Sequence, residues 1–175
     1  MQRKYAFSWN LIGDMDNGRP NLGPTVRLEM YRLMQYCLRD AMETELGSDA
    51  TDMVFCNAGK IAGKAFFQRY FPTRPDVNGF IREVQGLLLC LGVGVLRVEE
   101  AAPGLERLVL TVSEDADCSG LPDTQEEICT FDEGFLAGLL QAYSGQEYSV
   151  KEIDCWCTGD RTCRFVARRE AGTNP

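Results

Sequence analysis

Apolar side chains return every three or four residues from Thr25 onward, through Val26, Met30, Leu33, Cys37 and Ala41. That is the spacing of one helix face, and Gly47 stops it. Ser48 or Asp49 is placed to cap a second helix carrying Val54, Ala58, Ile61, Ala62, Ala65 and Phe66. The aromatic run Phe66, Phe67, Tyr70, Phe71 ends this helix at Pro72, because a proline ring disfavours the helical conformation in the residue before it. A third helix opens near Asp76 and passes Phe80, Ile81, Val84, Leu87, Leu88 and Leu91 before Gly92 and Gly94 close it.

The period then shortens to two. Val95 to Glu100 and Leu105 to Ser113 read as strands around a Pro103-Gly104 turn, with Leu108, Leu110 and Val112 on one face. An acidic connection, Glu114 to Glu127, leads to a helix over about Ile128 to Tyr143, and a final hairpin pairs Glu147–Trp156 with Arg161–Arg168. This order predicts an α+β fold in a single domain, an antiparallel sheet of about four strands packed against about four helices. Residues 1–24 read as an irregular N-terminal arm, 25–169 as the domain and 170–175 as a loose tail. Two small-residue faces, Gly59 with Gly63 and Gly134 with Gly138, invite close approach by another helix or a ligand.

Charge and composition narrow the function. A net charge of −8 argues against nucleic acid, whose phosphates need lysine and arginine. Arg161, Arg164, Arg168 and Arg169 are too short a cluster to reverse that and read as a solvated strand face. No stretch of about 18 apolar residues exists to span a membrane, and Met-Gln-Arg-Lys-Tyr is not followed by an apolar signal core. The expected place is the cytoplasm, where thiols stay reduced and clustered cysteines read as metal ligands before disulfides. Histidine is absent, which removes Ser-His-Asp and Cys-His catalysis, His-ligated haem and His-rich catalytic zinc.

Five of the eight cysteines lie between Cys118 and Cys163. Glu152, Cys155, Cys157 and Cys163 fall within twelve residues around a Thr158-Gly159-Asp160 turn, with Cys129 and Cys118 upstream. Thiolate sulfur and carboxylate oxygen together suit zinc. Glu152 and Cys155 are three apart, so a regular strand would point them to opposite faces. A shared metal requires a bulge or a strand end there. Cys157 shares a face with Cys155 and competes for the site, as does Cys118 if its loop folds back over the hairpin. The plainer alternative is a set of buried reduced thiols. Cys37, Cys56 and Cys90 sit on apolar helical faces and read as core.

Cys129, Glu152, Cys155, Gly159-Asp160 and Cys163-Arg164-Phe165 resemble the 4-vinyl-reductase domain, a small-molecule-binding module. The resemblance is most specific from about Asp117 to Arg168 and weaker at Gly18–Gly23 and Asn57–Lys60. It implies a zinc held by Cys129, Glu152, Cys155 and Cys163, closed by four ligands and therefore structural. It also implies a fold shared with aromatic-responsive sensor domains, haem-based nitric-oxide sensors and TRAPP tethering subunits. Phenol-responsive relatives carry a tyrosine two residues before the glutamate, where Val150 stands here, so the resemblance points to a less polar ligand.

The expected function is binding or sensing of a small hydrophobic or aromatic molecule. Phe66, Phe67, Tyr70, Phe80, Leu108 and Phe135 are the candidate lining. A vinyl reductase or its accessory in tetrapyrrole synthesis, and a structural assembly subunit without ligand, are the rivals. The apolar arm and the small-residue faces predict a homodimer.

Overall fold

The computed structural model describes residues 4–171. They fall into two compact units that divide between Thr51 and Asp52. In the first, a one-turn helix α1 (Met15–Gly18) interrupts the arm because the Asp14 carboxylate accepts the backbone N–H of Asn17 at 3.1 Å. The long helix α2 (Leu28–Leu46) follows and stops at Gly47, whose φ of 81° suits glycine. Its stripe is apolar, yet it buries no residue. Leu33, Met34 and Leu38 are all more than half exposed. Cys37, expected in a core, is exposed here, as is Cys90 further on, while Cys56 is half-buried.

Helix α3 (Ser48–Tyr70) carries the chain into the second unit, where α4 (Val77–Cys90), β1 (Val95–Ala101), β2 (Arg107–Ser113), α5 (Thr130–Ser144), β3 (Tyr148–Asp154) and β4 (Cys163–Arg169) follow. Asp76 caps α4 by accepting the Gly79 N–H at 2.7 Å, and the helix opens beside it as the sequence predicted. The second strand begins two residues later than expected. Pro103–Leu105 forms a 3-10 turn in which Gly104 and Leu105 both take positive φ.

The sheet is antiparallel throughout, in the order β1-β2-β4-β3, so two hairpins meet along their second strands. One face packs on the helices. Leu108, Leu110, Val112, Phe165 and Ala167 lie there with Phe80, Val84, Leu88, Leu136, Leu139 and Leu140. On the other face Arg164 pairs with Glu99 and Asp154, while at the end of β4 Arg169 pairs with Glu106 of the turn before β2. Arg164 thus bridges β1 and β3 across β4, while Arg161 lies over the Trp156 ring.

The two glycine faces meet each other. A Cβ on Gly59 would lie 2.1 Å from the Phe131 carbonyl, and one on Gly138 would lie 2.2 Å from that of Lys60. Gly63 and Gly134 are equally confined, against Phe135 and Cys56. Helices α3 and α5 therefore cross backbone to backbone, which only glycine permits at these four positions.

Candidate metal centre and apolar cavity

Four separate pieces of chain deliver the buried thiols. Cys129 is the residue just ahead of α5, and Cys163 opens β4. Cys155 follows the end of β3, immediately past a register shift between Glu152 and Asp154. That irregularity and the strand end are what a shared site for Glu152 and Cys155 required. Cys118 arrives on the acidic connection, where the Asp115 carboxylate accepts the N–H groups of Asp117 and Cys118 at 2.7 and 3.1 Å. The connection is fixed over the hairpin by Trp156 Nε1 donating to the Leu121 carbonyl at 3.0 Å. The Thr124 and Gln125 N–H groups also donate to the Cys157 carbonyl. Cys157 thus holds the loop through its backbone, and its thiol stays outside the cluster.

The Sγ atoms of Cys118, Cys129, Cys155 and Cys163 all lie within 4.8 Å of one another, and all four residues are buried. This group could hold a metal ion. Glu152 lies against it. Its Oε2 accepts the Cys129 N–H at 3.2 Å, and its Oε1 is buried without a hydrogen-bond partner. Asp115, Cys129 and Asp132 make a second, overlapping group of ligand-type atoms.

Burial and mutual repulsion disfavour negative charge on the carboxyls of this cluster. Burial first, then the neighbouring sulfurs of Cys155 and Cys163, push the Glu152 carboxyl up to about 10. Burial and the nearby Asp117 charge push Asp115 up to about 7. Burial raises Asp132 as well, with the charges of Asp115 and Asp117 adding to it. Hydrogen bonds from Cys118, Cys129 and Cys163 converge on Cys155 and hold its pKa below the ordinary thiol value. Buried anions of this kind are costly without a cation.

Elsewhere in the same unit, α4, α5 and the sheet enclose an apolar cavity of about 30 Å³. Its wall includes Phe80, Val84, Leu96, Leu108, Leu136 and Leu139. Of the residues expected to line a pocket, Phe80 and Leu108 do so. Phe66, Phe67, Tyr70 and Phe135 instead form aromatic packing beside it, with Phe66 4.6 Å from Tyr70 and 5.4 Å from Phe135 between ring centres. Phe67 stacks on Phe71 at 5.1 Å and meets Phe80 at 6.1 Å. Val150 is likewise not in the cavity wall. It lines a surface groove with Lys60, Glu133 and Lys151.

A family model for the 4-vinyl-reductase domain matches residues 108–169, the span holding the central strands and all four clustered thiols. The uncharacterized protein MJ1642 of Methanocaldococcus jannaschii is 39% identical over 147 residues, covering 84% of this chain and 80% of that protein. The chain belongs to the 4-vinyl-reductase domain family. Among solved structures, a vinyl-4-reductase family protein from M. jannaschii superposes at TM-score 0.63 with 16% identity, over 98% of this chain and 99% of its own. The phenol-responsive sensory domain of the transcription activator PoxR, solved with phenol, also gives 0.63, at 15% identity over 82% and 75%. At these identities the structural likenesses establish the fold of this 4-vinyl-reductase domain.

One polar element of the domain was not visible in its sequence. Glu133 is buried, yet its carboxylate accepts from Lys151 Nζ at 3.0 Å and from the Glu152 N–H at 2.9 Å. It therefore straps the first turn of α5 to β3 beside the thiols. Glu133 and Lys151 are 18 residues apart, and only the packing of α5 on β3 brings them together.

Proposed function

We propose that this 4-vinyl-reductase domain binds or senses a small apolar molecule, is braced by a structural zinc and works as a homodimer in a reducing cytoplasm. The observation that carries the ligand reading is the cavity between α4, α5 and the sheet, whose wall is entirely apolar, as small-molecule pockets largely are. The PoxR domain supports it as a fold relative solved with phenol. An engineered cavity of about 150 Å³ takes benzene, so a volume of about 30 Å³ commits this reading to walls that open when the ligand enters.

The zinc reading rests on donor chemistry. Thiolates suit zinc, and Cys129, Cys155 and Cys163 belong both to the set the family resemblance implies and to the buried cluster. A fully ligated ion would tie α5 to the last hairpin and would be a poor Lewis acid, so its contribution is mechanical. The free state of all eight cysteines fits a reducing compartment.

Titration with an apolar fluorescent probe tests the ligand reading. Leu136→Ala should tighten binding of a small aromatic by enlarging the cavity, and Leu139→Trp should abolish it by filling the space, both at unchanged metal content. If no probe binds below about 100 μM and neither variant changes this, the sensor reading is lost. The small cavity would then favour a ligand-free assembly subunit.

A further inference from the structure

We infer that the metal in this domain is held by sulfur alone, through Cys118, Cys129, Cys155 and Cys163, and that Glu152 is a positioning residue outside the coordination shell. This rests on the zinc reading above and changes its fourth ligand, which the family resemblance would give to Glu152.

Geometry supplies the first argument. With a zinc–sulfur bond of about 2.3 Å, a tetrahedron of thiolates has edges of about 3.8 Å. Cys129 Sγ lies 3.9 Å from the sulfurs of both Cys155 and Cys163, so these edges already have the length a metal needs. Cys118 Sγ stands 3.0 Å from Cys163 Sγ and within 4.8 Å of the other two. The Cys118–Cys163 edge has to open by roughly 0.8 Å to reach the same tetrahedron. Glu152 is not part of that mutually close set.

The second argument is that both candidates already have structural assignments. Cys118 is completely buried, at 0% exposure, although it sits on a loop. The Asp115 carboxylate turns its N–H inward and the Trp156–Leu121 bond holds the loop down. A loop so fastened to present one thiol to three others has a reason if that thiol binds the ion. Glu152, by contrast, spends Oε2 on the Cys129 N–H and its own N–H on Glu133, which leaves only Oε1 without a partner. It thereby fixes the backbone of one ligand, the work of an outer carboxylate. An all-sulfur set also selects soft, thiophilic cations over magnesium, calcium or manganese.

The test is zinc-edge X-ray absorption on the full chain, purified reduced and loaded with one equivalent of zinc. Four sulfur neighbours at about 2.3 Å, unchanged in number in Glu152→Gln, would support the inference, as would a drop to three in Cys118→Ser. Three sulfurs and one oxygen in the unaltered protein would overturn it and leave the zinc reading standing. Failure of the reduced protein to bind zinc at all would overturn both. The coordination number of the unaltered chain decides the matter even if Cys118→Ser does not fold.

Discussion

One methyl group at position 138 has nowhere to go. Its carbon would sit 2.2 Å from the Lys60 carbonyl oxygen, backbone that cannot swing aside. Gly138→Ala should therefore separate α3 from α5 and cost about 1–3 kcal/mol, the usual penalty of overpacking. Gly86 in α4 has nothing within 4 Å of a Cβ, so Gly86→Ala should raise stability by about 0.5–1 kcal/mol through helix propensity. Chemical denaturation of the two variants distinguishes a glycine required by contact from one that is merely tolerated. The thiols divide in the same way. Cys163→Ala, or chelation, should lower Tm sharply because a structural metal couples binding to folding. Cys37→Ala, on an exposed face, should change stability by less than about 0.5 kcal/mol. Metal analysis beside each melt shows whether the two quantities fall together. Clustered thiols were legible in the sequence because cysteine has so few other reasons to cluster in a reduced protein. Which four come together was not, since Cys118 depends on an Asp115 turn and on a Trp156 bond that spans 35 residues.

At the scale of elements, the acidic connection between β2 and α5 is the piece whose order depends most on single bonds. Asp115→Ala removes the acceptor for two N–H groups beneath Cys118. It should cost about 1–3 kcal/mol, as loss of a buried acceptor does, and should speed zinc loss to a chelator while leaving the sheet intact by circular dichroism. A stable metal complex with the wild-type release rate would mean that the loop is held by other contacts. Helix and strand positions were largely readable from period, including the start of α4 near Asp76. Periodicity states that an element has a face but is silent on what covers it. Hence α2, for all its apolar stripe, buries nothing, and Phe66 and Phe135 pack on each other beside the cavity instead of lining it. The start of β2 was misplaced for a different reason. Leu105 belongs to the apolar alternation but takes a left-handed backbone conformation, a choice made by the turn.

For the whole molecule, the exposed leucines and methionines of α2 need cover, and a second copy of this chain is the occupant the homodimer reading assigns. Light scattering at tens of micromolar should report a dimer, and Leu33→Glu with Leu38→Glu should yield monomers that keep their metal. A monomeric unaltered protein would remove this part of the reading. No helix among the described residues is long and apolar enough to cross a membrane. The glycine crossing, finally, sets the kind of motion that ligand entry can cause. Backbones in contact at Gly59, Gly63, Gly134 and Gly138 interlock like two racks with a tooth every helical turn. Small slips would drive carbonyls into Cα atoms, so α5 can change its position along α3 only by a full turn, about 5.4 Å, or else rock in place. A ligand that pries α4 and the sheet apart would find α5 unwilling to slide, and the cavity would widen by α4 swinging outward as a door on a fixed frame.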